Sequence, residues 1–165
     1  MRSITMLLCL ILLSCSAVAQ EGAAPTARDV LTVTGRISRT NSGREFHFDR
    51  ATLEGLGVVT ITTTTRFTDG RKTFEGVLLR DVLAYVGARG EWVRAQALND
   101  YETMIPLSDL AYGPILALRM DGVELTARDK GPLWIVYPRD QFPDRLSGAD
   151  QDQKWIWQLR KLDVE

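Results

Sequence analysis

Apolar and polar residues alternate over residues 30–37, with Leu31, Val33, Gly35 and Ile37 set against Thr32, Thr34 and Arg36, which predicts a half-buried strand. Asn41-Ser42-Gly43 marks a turn. Residues 45–48 then predict a short strand with Phe46 and Phe48 on one face and His47 on the other. Asp49 is placed to cap a helical turn that reaches Leu56 and that Gly57 ends. Residues 58–67, Val-Val-Thr-Ile-Thr-Thr-Thr-Thr-Arg-Phe, are mostly β-branched and lie between Gly57 and the Asp69-Gly70 pair, so they predict a central strand.

Residues 74–79 lead into Leu79, Val82, Leu83 and Val86, spaced for one face of a helix with Gly87 as its stop. A strand over residues 92–98, the turn Asn99-Asp100-Tyr101 and a partner over residues 103–105 predict a hairpin, and residues 108–111 at most a helical turn. Residues 115–120 and 123–125 flank Asp121-Gly122, the strongest local hairpin signal in the chain. Gly131-Pro132 opens an apolar strand over residues 133–137, which Pro138 closes. Residues 139–153 are polar, contain Pro143 and Gly148, and predict a long functional or mobile loop. A last strand over residues 154–159 puts Trp155, Trp157 and Leu159 on one face.

The first residues change the picture of what folds. Arg2, the apolar run from Met6 to Leu13 and Ala17-Val18-Ala19 have the order of a secretory signal peptide, so residues 1–19 are expected to be removed and residues 20–29 to form a flexible arm before a domain over residues 30–165. The expected location is therefore the periplasm. Cys15 in Leu-Leu-Ser-Cys offers a second, less favoured route, lipoprotein cleavage and acylation. No later run is long enough to span a bilayer. Dropping Arg2 from the 20 basic residues leaves 19 against 21 acidic ones, a formal charge of −2, which gives no electrostatic case for nucleic acid. Both cysteines, Cys9 and Cys15, fall in the leader, so the expected mature chain has neither a disulfide nor a reactive thiol.

Three stretches occur in a telling order: Phe74-Glu75-Gly76-Val77-Leu78-Leu79, then Ala97-Leu98-Asn99-Asp100-Tyr101, then Gly131-Pro132-Leu133 through Tyr137-Pro138 to Lys154-Trp155. Together they resemble the molybdopterin-binding domain of the sulfite oxidase family, over roughly residues 30–164. The resemblance implies an α+β fold, a single compact domain of mixed sheets with few short helices.

The departures from that family carry information of their own. Redox members hold molybdenum through a cysteine thiolate after the strand that aligns with residues 58–64, and this chain has threonines there, Thr63, Thr64 or Thr65 depending on register. A hydroxyl is a poor substitute for a soft thiolate. Against the resemblance, Trp134 stands where the oxidases usually carry an arginine, and the dimerisation domain of sulfite oxidases is not expected. The chain thus resembles a short, exported, cysteine-less branch, whose members are implied to bind pterins and to regulate membrane cyclic-di-GMP enzymes.

A pterin needs a flat surface to stack on and a carboxylate facing its amino and amide N–H edge. Asp100, at a strand end beside Asn99 and Tyr101, is the candidate carboxylate, although Asn-Asp also suits a plain turn. Tyr101, Trp155 and Arg66 are candidates around the same pocket, with Thr64 beside them. Trp155 and Trp157 also fit a core, and Arg66 a solvated strand end. Arg139 and Arg145 are placed to meet an anionic tail or a partner, or to form a solvated rim. His47 is the single histidine, so a zinc site is not expected. Ser108, Ser147 and the threonines lack a histidine base, and Asp150 and Asp152 sit in a polar loop with no apolar setting to raise a pKa.

The expectation is a non-catalytic periplasmic protein that binds a pterin or molybdopterin-like ligand without a metal and relays its state to the periplasmic region of a membrane signalling protein. The alternative is a molybdopterin-dependent oxidoreductase subunit. A third reading is an interaction module whose pocket is filled by Trp134 and Trp155.

Overall fold

The computed structural model describes residues 29–165. The expected signal peptide and nearly all of the expected arm lie outside the described residues. In chain order the first strands are β1 (Asp29–Gly35), β2 (Phe46–Asp49), β3 (Val58–Thr64), β4 (Arg71–Leu78) and β5 (Trp92–Ala97). They are followed by β6 (Glu102–Pro106), β7 (Ile115–Met120), β8 (Val123–Glu124), β9 (Trp134–Val136) and β10 (Leu159–Val164). Among the described residues the α-helices are short: α1 (Arg50–Glu54), α2 (Leu79–Tyr85), α3 (Pro143–Leu146) and α4 (Ala149–Asp152).

The strands form two sheets, as an α+β fold with few short helices requires. One has the order β2-β1-β10-β5-β6 and is mixed, because β1 and β10 run parallel while its other pairs are antiparallel. The other runs β3-β4-β7-β8, with β9 also on β7, and its pairs are antiparallel. Leu31, Val33, Phe48, Phe74, Val77, Leu116, Trp134 and Leu162, from both sheets, belong to one buried apolar cluster. The helices tie the sheets together: α2 packs on β4 and sets Tyr85 against Phe46 and Phe48 of β2, with ring centres 5.4 and 5.6 Å apart.

Local chemistry explains where elements start and stop. The Asp49 carboxylate accepts from the Thr52 N–H at 2.8 Å, capping α1. Leu79, Val82 and Leu83 turn one buried face of α2 to the core. Gly87, at φ +62°, closes that helix as Ala88 N–H donates back to the Leu83 carbonyl, the Schellman arrangement. Asp121 and Gly122 both have positive φ, which gives the tight β7–β8 turn its expected form. Gly76 has a packing reason: a Cβ there would lie 2.1 Å from the Leu116 carbonyl oxygen of β7.

Three expectations need correction. The threonine strand is not central: β3 is the edge of its sheet and pairs with β4 alone, Thr62 meeting Thr73 hydroxyl to hydroxyl at 3.1 Å. Threonine suits such an edge, since its β-branch fits the pleat and its hydroxyl tolerates water. The last strand begins at Leu159, not at residue 154. Residues 155–157 are an apolar run of the kind a strand carries, but Gln158 turns through φ +52° before β10 starts, so the aromatics stand outside the ladder. Residues 139–153 are not one open loop, because a 3-10 turn (Arg139–Gln141), α3 and α4 break them up.

Candidate functional site

A cavity of about 380 Å³ opens where three segments converge. Arg66 and Phe67, just past the end of β3, form one side. Ala97, Asn99 and Tyr101 of the β5–β6 hairpin form another, and the run from α4 to Trp157 forms the third. Its volume lies in the range of small-molecule sites. The wall is aromatic: Phe67 meets Trp157 edge to face with ring centres 4.8 Å apart, and Trp134 sits behind, 6.5 Å from Trp155 and 6.4 Å from Trp157. Lys130 Nζ lies 5.7 Å from the Trp134 ring centre and 5.8 Å from that of Trp157, so a cation faces this aromatic wall. The Trp134 and Trp155 indole N–H groups are buried without a partner. Trp134 is core and Trp155 is wall, and the space beside them stays open, contrary to a pocket filled by those two rings.

The polar groups of the cavity are few and fixed. Tyr101 donates from its hydroxyl to the Gln153 carbonyl at 3.2 Å, and the Asn99 side-chain oxygen accepts from the Tyr101 N–H at the same distance. Asp152, whose side chain is 11% exposed, accepts from Arg139 through Oδ1, while Arg66 Nη1 lies 3.5 Å from Oδ2. Arg139 also donates from Nε to the Leu146 carbonyl at 3.2 Å and stacks 5.2 Å from the Trp155 ring centre. Burial pulls its guanidinium pKa down first, partly offset by the Asp140 charge. A second cluster lies beneath: Asp109, buried, accepts from Lys154 at 2.8 Å and from the Tyr137 hydroxyl at 3.1 Å. Burial, then the Asp109 charge, pushes the Tyr137 phenol well above its ordinary range.

The eight residues expected at the site are thus divided. Arg66, Asn99, Tyr101 and Trp155 line the cavity. Arg139 stands behind it, touching Trp155 and Asp152. Arg145 is exposed on α3. Asp100 sits at φ +63° on the hairpin tip, 76% exposed, where its carboxylate accepts from Arg160 at 2.7 Å and does not line the cavity. Thr64 lies outside as well, bonded to Asp140. In the sequence Asp152 reads only as a loop acid, because nothing in a polar run announces that Arg139 will pair with it beside a cavity.

The threonine run is fully engaged. The Asp140 N–H donates to the Thr63 hydroxyl at 3.1 Å, Thr64 donates to the Asp140 carboxylate, and the Thr65 hydroxyl lies 2.8 Å from that of Thr68 and accepts from the Phe67 N–H. None of the three lines the cavity. Among the described residues no group of three or more His, Cys, Asp or Glu is placed to hold a metal ion, and no helix is long and apolar enough to cross a membrane. The donor set therefore fits the planar organic part of a molybdenum pterin, with its aromatic wall and largely covered carboxylate, and offers no thiolate to the metal.

The comparisons with known proteins agree with this division of the chain. The fold is similar to that in the crystal structure of the sulfane dehydrogenase SoxCD from Paracoccus pantotrophus, with a TM-score of 0.65 and 18% identity over 87% of this chain. The match spans 40% of that protein's chain. Comparison with curated proteins returns no significant match. The sequence pattern of the oxidoreductase molybdopterin-binding domain matches residues 40–163, which include every cavity-lining residue. This chain belongs to the oxidoreductase molybdopterin-binding domain family.

Proposed function

We propose that the domain holds a pterin-type ligand in the cavity between Arg66-Phe67, the β5–β6 hairpin and Trp155-Trp157. The observation that carries this reading is the joining of an aromatic wall to one largely covered carboxylate, Asp152, inside a domain of this family. Titration of the purified protein with pterins, followed by their fluorescence, is the test. Saturable binding at micromolar concentrations or tighter is expected, and no binding there overturns the reading.

Two uses of such a ligand follow. As the cofactor-binding part of an oxidoreductase, the domain would carry a molybdenum pterin, which supplies redox chemistry when bound. The family match and the fold shared with a dehydrogenase support this use. Arg66, Asn99, Tyr101 and Trp157 would hold the organic part, and a metal would take its remaining ligands from something other than a thiolate of the domain.

The second use is a non-catalytic periplasmic relay that presents the pterin's state to a membrane cyclic-di-GMP enzyme. Its support is the signal-peptide pattern of residues 1–19 and the three engaged hydroxyls of Thr63, Thr64 and Thr65. Metal analysis of protein from molybdenum-replete cells separates the two. Stoichiometric molybdenum favours the oxidoreductase, and bound pterin without molybdenum favours the relay.

A further inference from the structure

We infer that the Asp152 carboxylate reads the edge of the bound heterocycle, so that the cavity selects rings carrying a 2-amino-4-oxo edge over those without the amino group. This rests on the pterin-binding reading and assigns the group that makes it specific. Asp152 is the single carboxylate among the cavity-lining residues. Its two oxygens are not equivalent. Oδ1 is taken by Arg139, which is itself fixed by the Leu146 carbonyl and by the Trp155 ring. Oδ2 has only a 3.5 Å contact from Arg66, a side chain 65% exposed at the rim. One oxygen therefore orients the carboxylate, and the other is left loosely held at the wall of an apolar cavity.

Asp152 is the one charged acceptor of the wall, and the neutral acceptors beside it are engaged or weaker. The Asn99 oxygen accepts the Tyr101 N–H, and the Gln153 carbonyl accepts the Tyr101 hydroxyl. Asp100 is tied to Arg160 outside the cavity. An in-plane amino N–H that reaches Oδ2 makes a charge-assisted bond in a desolvated setting, while a carbonyl in the same place meets a carboxylate lone pair against lone pair. A site built to accept a proton donor discriminates strongly against the analogue that lacks it.

The probes are 6,7-dimethylpterin and 6,7-dimethyllumazine, which carry amino and oxo groups respectively at position 2. The purified protein is expected to bind the pterin about tenfold or more tightly than the lumazine. Asp152→Asn is expected to bring the two dissociation constants within about threefold, since a neutral amide accepts weakly and also donates. Asp152→Asn combined with Arg139→Gln leaves no buried charge unpaired and should show the same loss of discrimination, which keeps the test usable if the single variant fails to fold. Asp100→Asn should retain the wild-type ratio. Equal binding of both probes by the wild type overturns the inference and leaves the pterin-binding reading standing. So does a ratio that survives in the Asp152 variants or collapses in Asp100→Asn. Binding of neither probe by the wild type overturns both.

Discussion

Thr64 donates twice to one carboxylate oxygen of Asp140, from its backbone N–H at 3.1 Å and from its hydroxyl at 2.6 Å. The pair closes the end of the edge strand β3 against the 3-10 turn at Arg139–Gln141, on which Arg139 is carried toward the cavity. The end of the threonine run is a clamp between two backbone segments, strengthened by Arg71 at 3.1 Å from the same carboxylate.

The clamp makes stability depend on acid. The Thr64 hydroxyl, more than the Thr64 N–H, Arg71 and Thr63, holds the Asp140 carboxyl below its ordinary value, and burial opposes this only in part. A depressed folded-state pKa contributes stability that is complete above the unfolded value of about 3.9 and is lost as pH falls through the lower folded value. Asp140→Asn should cost about 1 kcal/mol at pH 7 and flatten the acid limb below about pH 4. Urea midpoints at pH 7 and pH 3 measure both effects.

The Asp109–Lys154 pair, buried on its Asp109 side, should be far more sensitive to truncation on one side. Asp109→Ala strands the Lys154 ammonium, and a loss of about 3–5 kcal/mol is expected. Tyr137→Phe removes one bond to Asp109 and should cost about 1 kcal/mol. Because the folded state resists ionising this phenol, its contribution is complete below the unfolded tyrosine pKa of about 10 and declines as pH rises above it. Denaturant melts between pH 8 and 11 should show a shallower alkaline decline in the variant.

Gly76 should tolerate no side chain. Its Cβ would sit 2.1 Å from the Leu116 carbonyl oxygen and 2.6 Å from the Ala117 Cα, both backbone atoms that cannot swing aside. Gly76→Ala is expected to cost about 2–3 kcal/mol or more, read by thermal unfolding, while Gly122→Asn, in an open hairpin turn, should stay within about 1 kcal/mol.

Trp157 should matter more to a ligand than to the fold. It lines the cavity and is only partly buried, so Trp157→Ala is expected to weaken pterin binding about tenfold, by loss of stacking, with the protein still folded at 25 °C. Affinity and far-ultraviolet circular dichroism on the same sample separate the two effects.

What the sequence made legible follows from how local each signal is. Asp121-Gly122, the Asp49 cap and the Leu79–Val82–Leu83 face depend on residues a few positions apart, and each stands where its pattern put it. The placement of β3 depends on which strands never come to its outer side, and a run of threonines carries no such information. Trp155-Ile156-Trp157 mimics a strand because a short run of large apolar residues suits a cavity wall as well as a sheet. Asp100 and Asp152 differ in the reverse way: the turn acid found an arginine outside the cavity, and the loop acid acquired one inside it.

The parallel pairing of β1 with β10 bears on when this molecule can become a molecule at all. Thr32 faces Lys161 and Gly35 faces Val164 across that pair, and β10 lies between β1 and β5. A chain still being synthesised at residue 150 has both flanking strands and a gap where the middle strand belongs. The first sheet must therefore wait for translation to pass Val164, which makes its closure a late and non-local event. Until then the edges of β1 and β5 that β10 will join stay unpaired.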